Sequence, residues 1–209
     1  MLTGFLTVVV VAVLVTVALP VIMKNILIQN MAQCLQRNDM EAFDRILDGR
    51  VARMVFQEFD RENLRLNACL RTGDSKKIKE QYQAMLNLRL RNVKQEKQLV
   101  MNAFSYFINN DEGEEARQLF PRLKQAVSPE EYERCRIMYR VIIKKQSKDI
   151  ETLEEQLIEA TQMDQSVLHY LLSLQYGYLG DTQKEQEHLE LARQSDARAD
   201  RSIQESKKG

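Results

Sequence analysis

Apolar residues recur along most of this chain with the spacing of an amphipathic α-helix. A clear example is the stripe at i, i+3, i+4, i+7 and i+8 formed by Val100, Ala103, Phe104, Phe107 and Ile108. No stretch alternates apolar and polar residues with the period of two that a half-buried strand requires. The pattern therefore predicts an all-α fold of about ten helices paired into five hairpins.

Polar turns separate these helices at similar intervals. The segments "CLQRND" at 34–39 and "CLRTGD" at 69–74 are alike and lie 35 residues apart. Such a period is typical of helical repeats, in which each hairpin buries its apolar stripe against a neighbour. The aspartates of five such turns are separated by 35, 37, 38 and 32 residues; they are Asp39, Asp74, Asp111, Asp149 and Asp181.

Local signals predict where some helices begin and end. Ser128, with Pro129 next and Glu131 three residues later, forms a capping-box pattern that predicts a helix start. Gly49 is suited to a helix C-terminus. Pro121 lies inside the second helix of the third predicted hairpin, so we expect it to kink or shorten that helix.

The N-terminal segment differs from the rest of the chain. Residues 2–23 are 22 consecutive uncharged positions, which as a helix span about 33 Å, close to the roughly 30 Å of a bilayer core. This predicts a transmembrane helix at 2–23, then a helical repeat domain at 24–194 and a polar, disordered tail at 195–209. Since no flexible linker follows Met23, we expect the span to continue into the first repeat helix with a bend near Pro20.

Basic residues follow the predicted span, and none precedes it. Lys24, Arg37 and Arg45 resist translocation, which predicts a single-pass protein with its N-terminus outside and its C-terminal domain in the cytoplasm. A cleaved signal peptide is disfavoured, because such peptides carry a basic region before a shorter apolar core. An odd number of cysteines in apolar helical settings agrees with a reducing compartment; they are Cys34, Cys69 and Cys135.

Several hairpins resemble the tetratricopeptide repeat. The segment at 65–86 has Gly73, Asp74, Tyr82 and Leu86 in that register, and Ala116 with Phe120 gives a partial third match. The strongest likeness is "HYLLSLQYGYLGDTQKEQEHLELA" at 169–192, through Leu172, Ser173, Tyr176, Gly180, Asp181, Leu189 and Ala192. The sequence departs from the family pattern at Cys34 and Cys69, where a large residue is usual.

The resemblance implies that the hairpins stack into a solenoid with an extended concave face that binds another protein. In that family the first helices of the hairpins line the groove. On this chain the resemblance would place these partner-binding residues there: Asn63, Asn67, Arg71, Phe104, Ile142 and Tyr170.

Composition and motifs favour no enzyme or nucleic-acid class. The chain has 30 basic and 30 acidic residues, so no overall field attracts nucleic acid. It contains no phosphate-binding loop, dinucleotide fingerprint, nucleophile elbow or zinc-protease motif. Its two histidines, His169 and His188, have no metal-ligand spacing to other histidines or cysteines. We therefore expect no catalytic residue, cofactor, metal or small-molecule substrate.

One charged feature stands out in "YERCRIMYRVIIKK" at 132–145. Arg136, Arg140 and Lys144 recur at i, i+4 and i+8 and so form a basic stripe on one helix face. Like charges at this spacing repel each other unless negative groups lie opposite. The segment "DIETLEEQLIE" at 149–159 is the favoured source of those negative groups, and an acidic partner or anionic lipid is the alternative.

These features together predict a membrane-anchored, tetratricopeptide-like adaptor or scaffold in a membrane-associated assembly or trafficking machine. The alternative is an exported, membrane-tethered assembly or chaperone-like factor whose solenoid lies outside the cytoplasm. The partner is a protein in both hypotheses.

Overall fold

The computed structural model describes Thr16, residues 18–90 and residues 92–206. In this part of the chain the regular structure is helical and no strand is present, so the predicted all-α fold is confirmed for it. The chain divides into two compact units with the boundary after residue 91.

The first unit contains five helices among its described residues. They are α1 (Leu19–Gln36), α2 (Met40–Leu47), α3 (Arg50–Val55), α4 (Glu58–Thr72) and α5 (Ser75–Leu86). Helix α1 packs against α2 and α3, and α4 packs against α5. One core cluster draws on α1 to α4 and includes Met31, Phe43, Leu47, Ala52, Phe56 and Ala68.

The second unit contains seven α-helices and one π-helical turn among its described residues. They are α6 (Val93–Asn109), α7 (Gly113–Gln118), α8 (Phe120–Ala126), α9 (Pro129–Met138), the π turn (Tyr139–Ile143), α10 (Ile150–Glu159), α11 (Gln162–Tyr178) and α12 (Thr182–Ser206). Helices α11 and α12 form the most extensive helix pair. A second core cluster is formed by Ile137, Val141, Leu153, Leu168, Leu171, Leu172 and Tyr176.

The five predicted turns all lie between helices. Asp39 and Asp74 cap α2 and α5, because their carboxylates accept hydrogen bonds from the backbone N–H groups three residues later. Asp181 does the same for α12. The turns at Asp74 and Asp181 need a left-handed residue, and Gly73 and Gly180 supply it with φ of 70° and 78°.

The described helices are more finely divided than the apolar stripes predict. Pro121 has the predicted effect: α7 ends at Gln118, and α8 begins at Phe120 with the proline in its first turn. Gly49 lies just after α2 but serves as the residue that begins α3, with extended backbone. A proline or glycine therefore marks a new helix start in both places.

The capping box at α9 is confirmed. The Ser128 hydroxyl accepts a hydrogen bond from the Glu131 N–H (3.2 Å), and the Glu131 carboxylate accepts one from the Ser128 N–H (3.0 Å). Lys97 of α6 also donates to the Glu131 carboxylate at 2.6 Å. The cap thus joins the start of α9 to α6.

We expect Ser128→Ala to lower the free energy of unfolding by about 1 kcal/mol, because an N–H group at the helix start loses its acceptor. Ser75→Ala is the matched control, since Ser75 is exposed and Asp74 caps that helix. Urea unfolding followed by circular dichroism measures both changes. Equal changes in the free energy of unfolding for the two substitutions would show that the capping box does not stabilise the fold.

The predicted transmembrane helix is not supported, and the fold class is corrected to all-α without it. Residues 2–15 and Val17 lie outside the described residues. In the part of the chain that the structure describes, no helix combines the length and apolar character needed to cross a membrane. The last residues of the predicted span, from Leu19 onward, form the start of α1. This helix continues through Lys24 without a linker. Beyond Met23, polar residues of α1 interrupt the apolar run.

The last described helix continues into the segment predicted to be a polar tail. Helix α12 extends to Ser206, so it covers much of the segment 195–209. Ser195 is buried, so the helix is still packed where the polar composition begins. Polar composition alone therefore does not mark the end of this helix.

Candidate functional site

An apolar groove in the second unit is a candidate binding site. It encloses about 410 Å³, within the range of cavities that bind ligands. Helices α11 and α12 line the groove, together with the π turn and the C-terminal ends of α6 and α9. Its lining residues are Asn109, Met138, Ile142, Ser166, Val167, Tyr170, Leu171, Leu189, Ala192, Arg193 and Asp196.

Helix α11 contributes two apolar side chains that remain exposed. Val167 is 42% and Tyr170 44% exposed, whereas Leu171 beside them is 1% exposed and belongs to the core. Spacing of i, i+3 and i+4 places these three side chains on one face. The groove therefore has a floor anchored in the core and an apolar wall that is open to solvent.

The N-terminus of α11 is held by a cap and an ion pair. The Asp164 N–H donates to the Thr161 hydroxyl (3.3 Å), and that hydroxyl donates to the Asp164 carboxylate (2.7 Å). The hydrogen bond from Thr161, together with nearby Arg134, lowers the pKa of Asp164. Arg134 of α9 contacts the same carboxylate at 2.7 Å. These bonds connect α9 to the helix that carries Val167 and Tyr170.

A polar network fixes the π turn beside α11. Arg140 donates to both oxygens of Asp149 at 2.6 and 3.0 Å, and the Asp149 N–H donates to the buried Gln175 side chain at 2.9 Å. The Tyr178 hydroxyl donates to the Val141 carbonyl at 3.0 Å, and burial raises the pKa of Tyr178. Ile142 lies within this turn, so the network sets the position of one wall of the groove.

Two of the six predicted partner-binding residues lie in this groove. Ile142 and Tyr170 both line it. Asn63, Asn67 and Arg71 lie on α4 of the first unit, Asn63 half-buried and the other two exposed, and their role stays a prediction.

Phe104 lies in the core of the second unit rather than on an open face. Its side chain is 1% exposed, and its ring contacts the edge of Phe120 with centroids 5.8 Å apart. Phe120 in turn contacts the rings of Tyr132 and Tyr139. The apolar stripe that contains Phe104 is the buried face of α6. The placement on a partner-binding face that the tetratricopeptide resemblance implies for Phe104 therefore needs correction.

The basic stripe is largely neutralised within the protein. Arg136 pairs with Glu133 of its own helix at 2.8 Å, and Arg140 pairs with Glu133 and Asp149. The hydrogen bond to Asp149 is the main cause of a raised pKa of Arg140. Lys144 lies over the Tyr139 ring, 5.6 Å from its centroid. The 149–159 segment thus supplies one of the acidic partners, and α9 supplies the other.

Both arginines of the stripe also line a smaller cavity of about 340 Å³. Its other lining residues are the aromatic side chains Phe120, Tyr132 and Tyr139. Because Arg140 already binds two carboxylates, this cavity offers an external anion little unpaired charge.

The apolar pattern of α11 is a sequence feature that indicates the groove. Helix α11 has an apolar surface wider than one stripe: Leu168, Leu171 and Leu172 are buried in the core, and the exposed Val167 and Tyr170 extend the apolar surface beside Leu171. A helix with an apolar surface wider than one stripe often has a second contact surface. The contributions of Met138 and Leu189 depend on tertiary packing, and neither has such a signal in the sequence.

Two of the three cysteines are buried in the described chain. All three are free thiols, with Cys69 and Cys135 buried. Burial raises the pKa of Cys135 to about 11, so this thiol is protonated and unreactive at neutral pH. Among the described residues, no group of three or more histidine, cysteine or acidic side chains is placed to hold a metal ion.

Comparison of the chain with protein-family models, with curated proteins and with solved structures finds no match.

Proposed function

We propose that this chain is an adaptor or scaffold protein that binds a segment of another protein in the groove. The observation that carries the proposal is the pair of exposed apolar side chains, Val167 and Tyr170, above a floor of core residues. Protein interfaces concentrate their binding energy in apolar and aromatic anchors that fill such pockets. The groove offers a place for one or two large apolar side chains of the partner.

The polar residues at the rim of the groove favour a peptide ligand over a purely apolar one. Asn109, Arg193 and Asp196 are exposed and place an amide and charges of both signs around the apolar floor, whereas Ser166, which also lines the groove, is buried. An apolar centre with a polar rim is the usual anatomy of a protein interface. The expected partner segment therefore has an apolar side chain at its centre and polar groups on either side.

The helical pattern agrees with a degenerate tetratricopeptide-like array. Its turns recur every 32 to 38 residues, and each lies between helices in the structure. In the last of these hairpins the first helix is α11, which carries Val167 and Tyr170. In tetratricopeptide proteins the first helices of the hairpins line the peptide-binding face, which supports the choice of this groove.

Site-specific photocrosslinking in the native cells tests the proposal. A benzoylphenylalanine in place of Tyr170 should capture a reproducible protein partner, and Val167→Asp in the same chain should abolish that capture. Ile158 is the matched control position, because it is 84% exposed on α10 and does not line the groove. Capture of the same proteins from both positions, or capture that survives Val167→Asp, would contradict binding in the groove.

A further inference from the structure

The two histidines of the chain face each other across the α11–α12 pair. His169 of α11 and His188 of α12 have their Nδ1 atoms 3.0 Å apart and their ring centroids 5.2 Å apart. Both side chains are half-buried. We refer to them as the histidine pair.

The surroundings of the histidine pair join three helices. His188 stacks on Tyr176 with centroids 5.4 Å apart and an interplanar angle of 12°. The Tyr176 hydroxyl donates to Glu154 of α10 at 2.7 Å, and Lys184 of α12 donates to that hydroxyl at 3.3 Å. The charged groups that act on His188 are Glu154 of α10 and Glu187 and Lys184 of α12, whereas the group that acts on His169 is His188.

The contact between the Nδ1 atoms depends on the number of bound protons. When both rings are neutral, one Nδ1–H donates to the other Nδ1. With one added proton, the cationic ring still donates to the neutral ring. With two, each Nδ1 carries a hydrogen, so the bond is lost and two like charges face each other. Glu154 and Glu187 favour the first proton on His188.

We propose that the histidine pair is a proton-sensitive contact between α11 and α12. It holds the two helices together when both rings are neutral or when one added proton is bound, and it loosens them when two added protons are bound. The groove lies on the same two helices: its lining residues Val167 and Tyr170 are within two positions of His169 in the sequence, and Leu189 follows His188, although neither histidine lines the groove. Loosening the pair therefore weakens partner binding, and this consequence alone depends on the proposed function.

The direction of the pH dependence follows from burial. Burial lowers the pKa of both histidines in the folded chain, and the charge of His188 lowers that of His169 further. The unfolded chain then binds more protons than the folded chain as the pH falls. The stabilisation is present above the ordinary histidine pKa and is lost as the pH falls from there through the lowered folded values.

Hydrogen exchange of the full chain measures this contact without a partner. Between pH 7.5 and 5.0 we expect the amide protection factors of α12 around His188 to fall about tenfold more in the natural chain than in His169→Asn/His188→Asn. Asparagine has an amide group near the position of the imidazole Nδ1 and does not titrate. An equal fall in both chains would overturn the proposal.

A second measurement applies if the double variant does not fold. Nuclear magnetic resonance titration of the natural chain should show two coupled histidine steps, with at least the second below the ordinary histidine pKa. Two independent steps at the ordinary value would overturn the proposal. If the pair titrates as expected but partner capture from position 170 is the same at pH 7.5 and 5.0, the contact is established and its effect on the groove is refuted.

Discussion

Phe104→Ala is expected to lower the free energy of unfolding of the second unit by about 3–5 kcal/mol, the usual loss for a large aromatic residue in a packed core. The Phe104 side chain is 1% exposed and packs edge to face against Phe120. Phe120 also contacts Tyr132 and Tyr139, so the cavity left by the substitution would lie under an aromatic cluster. Chemical unfolding followed by circular dichroism measures the loss.

Tyr170→Ala is the matched control for that experiment. Tyr170 is also an aromatic residue for which the tetratricopeptide resemblance implies a place on the partner-binding face, but its side chain is 44% exposed. We expect this substitution to change the free energy of unfolding by less than about 1 kcal/mol, since surface substitutions usually have small effects. If Tyr170→Ala destabilised the unit as much as Phe104→Ala, the assignment of Tyr170 to an open groove would be wrong.

Arg140→Ala is expected to lower the free energy of unfolding by about 2–3 kcal/mol, because it leaves the carboxylate of Asp149 without its partner in a poorly solvated site. The Arg140 and Asp149 side chains are 17% and 10% exposed, and the two groups meet through two hydrogen bonds. The partial exposure of the arginine keeps this value below that of a fully buried pair. Thermal or urea unfolding at neutral pH measures it.

Arg136→Ala provides the comparison within the same stripe. Its side chain is 51% exposed and pairs with Glu133 on one helix, so we expect a loss below about 0.5 kcal/mol. Arg140→Ala combined with Asp149→Asn should be more stable than Arg140→Ala alone, because no unpaired charge remains. Equal losses for the two arginines would contradict a structural role for the Arg140–Asp149 pair.

Periodicity was sufficient to predict the helical class and the turns. Three of the aspartate turns, at Asp39, Asp74 and Asp181, are encoded locally, since a carboxylate that accepts from the N–H three residues later needs no distant contact. The same holds for the capping box at Ser128 and for the helix break at Pro121. These features were predictable because each depends on a few neighbouring residues.

Features that depend on tertiary contacts were not predictable in the same way. The stripe that contains Phe104 identifies an apolar face of α6 but does not say whether a partner or the core covers it. The π turn is fixed by bonds from Arg140 to Asp149 and from Tyr178 to Val141, which join positions 9 and 37 residues apart. The sequence could identify Ile142 as a candidate contact residue, but it could not predict the cavity around this residue.

The transmembrane helix predicted at 2–23 is not supported in the described part of the chain, where no helix is long and apolar enough to cross a membrane. The prediction depended on a run of uncharged residues, which treats every apolar side chain in the same way. Beyond the predicted span, α1 packs Leu27, Met31 and Leu35 against the core of the first unit. Within the span, its residues Leu19, Val21 and Ile22 are 48%, 55% and 54% exposed. A count of uncharged residues does not distinguish apolar side chains that pack in a core from those that stay exposed on the same helix.

The affinity of the captured partner segment for purified full-length chains tests binding in the groove most directly. Val167→Asp places a charge on the apolar wall and should weaken binding at least about tenfold, or about 1.4 kcal/mol. Ile158→Asp introduces the same charge on α10 at an exposed position that does not line the groove and should leave the affinity unchanged. An unchanged affinity for Val167→Asp, or an equal loss for Ile158→Asp, would contradict the groove as the binding site.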